Sequence, residues 1–111
     1  MQPTGEQIEE LQQALLSAFN LDELRMMVHF RLNRILDQVV PIPNQTLTDI
    51  VYSTIRWAAA QEGGFLGLAE NALVQSPYNP DLREFVTRYA GCTFDPLPAL
   101  TARYGKGMDI P

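Results

Sequence analysis

Apolar residues recur at steps of three and four through segment after segment of this chain, and nowhere do they alternate over a useful length. A step of three or four lines up one side of an α-helix, whereas a half-buried strand needs a period of two. The chain is therefore expected to be all-α. Ile8, Leu11, Leu15 and Phe19 step along a first face, with Ala14 and Ala18 beside them. Thr4 stands just before that run and Gln7 three residues later, the spacing of a capping box. The first helix is placed at 5–18. Glu6, Glu9 and Glu10 fall in its opening turns, where the helix dipole favours anions.

Asn20 caps a second helix that opens with Leu21, Asp22 and Glu23. Leu21, Leu24, Val28, Leu32, Ile35 and Val39 continue the stripe, widened by Met27 and Leu36. Its length and Asn33 suggest a break, so helices are expected over 21–31 and 33–39. Pro41 and Pro43 end the second of these, since each lacks an N–H and restricts the residue before it. Thr46 or Thr48 caps a fourth helix bearing Leu47, Ile50, Val51, Ile55 and Ala58. Gly63-Gly64 stops it in a left-handed turn. Phe65, Leu68, Ala69, Ala72 and Leu73 mark a fifth helix. In Ser76-Pro77-Tyr78-Asn79-Pro80, Asn79 is a natural N-cap and Pro80 a natural first helical residue. Leu82, Phe85, Val86 and Tyr89 then form a sixth helix ending near Gly91. The fold expected is a compact bundle of about five to six short helices over residues 1–91. From 92 to 111 the pattern stops, and Pro96, Pro98, Gly105, Gly107 and Pro111 read as a weakly packed tail or linker.

At 111 residues the chain is long enough for one core. It carries 13 Asp+Glu against 8 Lys+Arg, with Lys106 the sole lysine. No Lys/Arg run offers phosphates a landing site, so neither nucleic acid nor an anionic membrane is an expected partner. The apolar runs are far shorter than the roughly 20 residues that span a bilayer. No basic, apolar leader opens the chain, so no signal peptide is expected. A lone Cys92 implies no oxidising compartment. The cytoplasm is the expected location.

Chemistry is sparse. His29 is the only histidine, and no second His or nearby Cys gives it metal-ligand spacing. It reads as a solvated residue on the polar side of the second helix. Cys92 has no His–Asn/Asp set around it. The carboxylate pairs Glu9/Glu10 and Asp22/Glu23 sit at helix starts, where caps and dipoles account for them. Gly63-Gly64 follows no strand and precedes no Lys-Ser/Thr, so it is no phosphate loop. No catalytic residue, metal or cofactor is expected. Of Met26 and Met27, one should pack and the other lie at the rim, although methionine also serves adaptable binding surfaces. Trp57, beside three alanines, is expected to be a core anchor between helices 4, 1 and 6; a half-exposed Trp there would instead suit a contact residue.

Charge is distributed unevenly. Residues 1–23 hold Glu6, Glu9, Glu10, Asp22 and Glu23 and no base. Residues 24–36 hold Arg25, His29, Arg31 and Arg34 and no acid. A mixed solvated surface would account for this, as would an acidic face and a basic face suited to head-to-tail association.

Read in order, several segments resemble a known family, the type 1 effector-associated domain of bacterial conflict systems. They are Thr4-Gly5-Glu6-Gln7 leading into Leu11–Phe19, Leu24–Leu32, Leu47–Tyr52, Ile55-Arg56-Trp57-Ala58-Ala59-Ala60-Gln61-Glu62-Gly63, and Ser76-Pro77-Tyr78-Asn79-Pro80-Asp81-Leu82-Arg83. The resemblance spans about residues 4–90. Where that family has a short Gly/Asn-rich loop, this chain has the stiffer Pro41-Ile42-Pro43-Asn44-Gln45. The resemblance implies a death-domain-like, non-catalytic adaptor. It would recruit an effector such as a peptidase to a sensor through contacts between domains of the same type, a second copy included. Glu9, Glu10, Arg25, Met26, His29, Arg31 and Arg34 are the residues expected to make such contacts, with an apolar patch around Met26 and Phe30 as the interface if charge does not carry them. A DNA-binding helical regulator is the alternative, its best candidate being the 21–31 helix with Arg25, Arg31 and Arg34. A small enzyme or cofactor-binding bundle is the third class considered.

Overall fold

The structure, a computed structural model, describes residues 2–40 and 45–97. Six helices follow in order: α1 Gly5–Ala18, α2 Leu21–Leu32, α3 Leu36–Val39, α4 Leu47–Ala59, α5 Gly64–Gln75 and α6 Pro80–Tyr89. No strand occurs among the described residues.

Local side chains fix most helix starts. Thr4 accepts from the Gln7 N–H while the Thr4 N–H donates to Gln7 Oε1. Asn20 and Glu23 make the same reciprocal pair at the start of α2. Thr46, rather than Thr48, caps α4 through the Asp49 N–H, and Asn79 caps α6 through the Leu82 N–H. Each bond satisfies a donor that the first turn of a helix leaves free.

α4 and α5 form the centre. α4 packs against α1, α3 and α5, and α5 against α2, α4 and α6. Leu11, Leu15, Leu24, Met27, Ile50, Val51, Ile55, Phe65, Leu68 and Leu82 are almost fully enclosed. Thr54 is the one buried polar side chain among the described residues, and its hydroxyl donates to the Ile50 carbonyl at 2.8 Å. Ala58 and Ala59 on α4 and Ala69 and Ala72 on α5 are all buried. The turn between the two helices is close, because a Cβ on Gly64 would lie 1.9 Å from the Ala58 carbonyl oxygen. Gly63, at φ 69°, takes the expected left-handed turn, although it caps the start of α5 while α4 ends earlier, at Ala59.

Three expectations change. The third helix is one turn, Leu36–Val39, because Asn33 adopts a left-handed conformation at φ 55° and ends α2. That break resets the helical phase, so Ile35 leaves the stripe and is half exposed while Leu36 is buried. Trp57 is only partly buried. It lies at the edge of the buried arc of α4, next to Ile50, and faces Arg34, Ile35, Gln38 and Val39 rather than α1 and α6.

The chain also does not leave the bundle at residue 92. Gly91, at φ 82°, turns it back. Phe94 is buried edge-on to Phe65 and Tyr89, at 5.0 and 6.0 Å between ring centres. The Leu97 N–H donates to the Ala59 carbonyl at 2.7 Å, meeting one of the acceptors that the end of α4 leaves open. Pro41, Pro43 and residues 98–111 lie outside the described residues. Phe94→Ala should cost about 3 kcal/mol, the low end for a buried Phe, and truncation after Cys92 should cost at least as much. Urea unfolding measures both; a midpoint unmoved by truncation would show that 93–97 contribute nothing.

Candidate functional site

The residues expected to make contacts separate into two groups on different helices. α2 rests on α5 through Leu24, Met27 and Val28. Helical geometry turns Met26, His29 and Phe30 to the opposite side. All three are exposed, Phe30 most of all at 63%, and the His29 and Phe30 rings stack 5.8 Å apart. Met26 thus takes the rim position and Met27 the core. Arg34 and Ile35 follow the left-handed Asn33 and are also exposed.

The arginines of this segment do not form one patch. Arg25 is tied inside the molecule, its Nε donating to Asp37 Oδ1 at 3.0 Å and its Nη1 reaching Asp22 at 3.5 Å. The Asp37 hydrogen bond is the leading cause that holds the guanidinium above its ordinary value. Arg31 stands one turn beyond Met27 and Val28, near the buried side of α2, so it reaches the end of α5. There its Nε donates to Gln75 Oε1 at 3.1 Å. Arg34 lines a hollow with Ile35, Gln38, Val39, Trp57 and Gln61 and makes no ion pair among the described residues.

The second group lies between α1 and α6. Asn79, at the start of α6, donates to Ser17 near the end of α1, and Arg88, near the end of α6, pairs with Glu10. The two helices therefore run antiparallel. Between them Glu6, Glu9, Glu10, Asp81 and Glu84 line a shallow groove, with Ala14 and Phe85 as its apolar lining. Arg88 answers Glu10 and Glu84, and the Tyr89 hydroxyl donates to Glu10 Oε1 at 2.7 Å. Glu10 is thus a structural tie. Glu6, Glu9 and Asp81 are exposed and make no ion pair among the described residues.

Met26 and Phe30, the apolar patch that the sequence offers as an alternative interface, share this exposed side; Ile35 and Asp81 are not singled out by the sequence as contact residues. Phe30 stands four residues after Met26, off the Leu24–Met27–Val28 side, which is the spacing that makes the patch legible. Cys92 is an exposed free thiol. Among the described residues no group of three or more His, Cys, Asp or Glu is placed to hold a metal ion, and no helix is long and apolar enough to cross a membrane.

These features define an all-α domain with a closed core and two chemically different outer faces. Residues 1–90 match the family described as Effector-associated domain 1, and the chain belongs to that family. No curated protein and no solved structure matches the chain.

The tie at Glu10 gives a pH prediction. Its hydrogen bond to Glu10 is the main cause, ahead of burial, that raises the Tyr89 phenol above its ordinary value, with Arg88 opposing. The folded protein then keeps this proton to higher pH than the unfolded chain does. The tie contributes in full below about pH 10 and is lost as pH rises through the folded value. Tyr89→Phe should lower stability by about 1 kcal/mol at neutral pH and remove that alkaline decline. Urea melts at neutral and alkaline pH test this; parallel profiles for the two proteins would contradict it.

Proposed function

We propose that this domain is a non-catalytic recognition module that brings an effector, for example a peptidase, to a sensor by binding domains of its own kind, in bacterial immunity or programmed cell death. It acts in the cytoplasm. The observation that carries the reading is the outward side of α2. Met26, Phe30 and Ile35 are exposed in a domain whose core is already complete without them. Exposed aromatic and methionine side chains grouped on one side suit a protein contact, where they exclude water on binding. Family membership supports the effector as the other component.

The charge arrangement speaks for protein over nucleic acid. With Arg25 neutralised by Asp22 and Asp37, the helix that would read DNA keeps few free cations. The α1–α6 groove would repel phosphate.

A binding assay with the full chain and an effector protein carrying a domain of the same family tests the proposal. Deleting the domain from the effector should abolish binding. Equal capture of the intact and the deleted effector would overturn the reading, as would no capture of either.

A further inference from the structure

We propose that the outward side of α2 docks into the α1–α6 groove of a second copy of this chain, head to tail; this rests on the homotypic reading above and names its surfaces. The starting observation is apolar. Met26 and Phe30, four residues apart, share one side of α2 and are 43% and 63% exposed, and Ile35 just beyond is 50% exposed. Nothing among the described residues covers them.

Charge selects the occupant. Arg34, next to the exposed Ile35, makes no ion pair among the described residues, and His29 stacks on Phe30. The ridge is therefore apolar with a cationic edge. Its complement is a groove with an apolar lining and an anionic rim. The α1–α6 groove supplies the anionic rim, where Glu6, Glu9 and Asp81 make no ion pair among the described residues, over a floor formed by the buried Ala14 and Phe85. Of the acids near the ridge, Asp22 and Asp37 are held by Arg25, and Glu23, on the ridge's own side of α2, accepts from the Asn20 N–H at the helix start.

Ridge and groove lie on different elements. α2 packs on α5 and α3, while α1 and α6 pack on each other and on the central pair. A contact between two different patches leaves one of each open in every pair. Such a heterologous contact adds further copies, whereas an isologous one stops at two. The exposed charges make it salt-sensitive, since such pairs are screened beyond about 8 Å at physiological ionic strength.

Sedimentation of the full chain tests this with two variants. Phe30→Asp with Arg34→Glu disables the ridge. Glu9→Arg with Gln13→Arg disables the groove without touching the Glu10 tie. The wild-type chain should form assemblies larger than a dimer that grow with concentration and shrink in high salt. Each variant alone should associate at least about tenfold more weakly. An equimolar mixture should form a one-to-one dimer and nothing larger, because one intact ridge meets one intact groove. That dimer also shows that both variants are folded. Variants that assemble like the wild type would overturn these surfaces while leaving the homotypic reading in place. A mixture that stays monomeric, with each variant's cooperative thermal unfolding intact, would do the same. A wild-type chain that stays monomeric would overturn docking between copies, and the effector-binding assay then decides the homotypic reading by itself.

Discussion

The Ala58 carbonyl occupies the space that a side chain on Gly64 would need, and the rest of the bundle is arranged around the close turn this permits. Because the chain reverses so tightly after α4, α5 returns directly along it. Both helices carry buried alanines, Ala58 and Ala59 on α4 and Ala69 and Ala72 on α5. This pair is the platform on which the other helices lie. α1 and α3 pack on α4, α2 packs on α5, and α6 joins α5 to α1. The aromatic group of Phe65, Phe85, Tyr89 and Phe94 closes one side through tilted and edge-on contacts. A larger residue at position 64 would act on this platform first, by parting α4 from α5.

Once the platform is set, it decides which charges are spent inside the molecule and which stay available. Placing α6 antiparallel to α1 brings Arg88 and Tyr89 to Glu10, and the short α3 brings Asp37 to Arg25. Those ties take up one acid and one base from the segregated N-terminal sequence. Among the acids and bases without an ion pair, Glu6, Glu9 and Asp81 lie at one groove, while Arg34 stands next to the exposed Ile35 and Glu23 caps the start of α2. Exposed ion pairs of this kind add little to stability. Their stronger effect is on which surfaces can meet and in which orientation.

Much of this was legible in the sequence because it is local. Thr4 with Gln7, Asn20 with Glu23, and Asn79 with Pro80 state their helix starts within a few residues, and α1 runs as its pattern implies. The failures are all non-local or matters of phase. Ile35 belongs to the apolar stripe only if the helix runs on through Asn33, and a single left-handed residue removes it. Trp57 has helical spacing that fits the core, but its place at the edge of the buried arc sends it toward α3. Phe94 sits in a Pro-containing stretch with no period, and its burial depends on Phe65, nearly thirty residues earlier. The charge split was visible as a pattern. That Glu10 and Arg25 are occupied depends on partners that only the folded chain brings near.

In the proposed assembly two separate faces carry recognition, one apolar with Arg34 at its end and one acidic. Backbone amide chemical shifts of the isotopically labelled chain, followed by NMR as the protein is concentrated, test it most directly. Concentration-dependent shifts are expected in two groups, at Met26–Ile35 and at Glu6–Gln13 with Asp81–Phe85. Both should diminish together as salt is raised. Shifts confined to one of the two groups, or centred on α4 and α5, would contradict it.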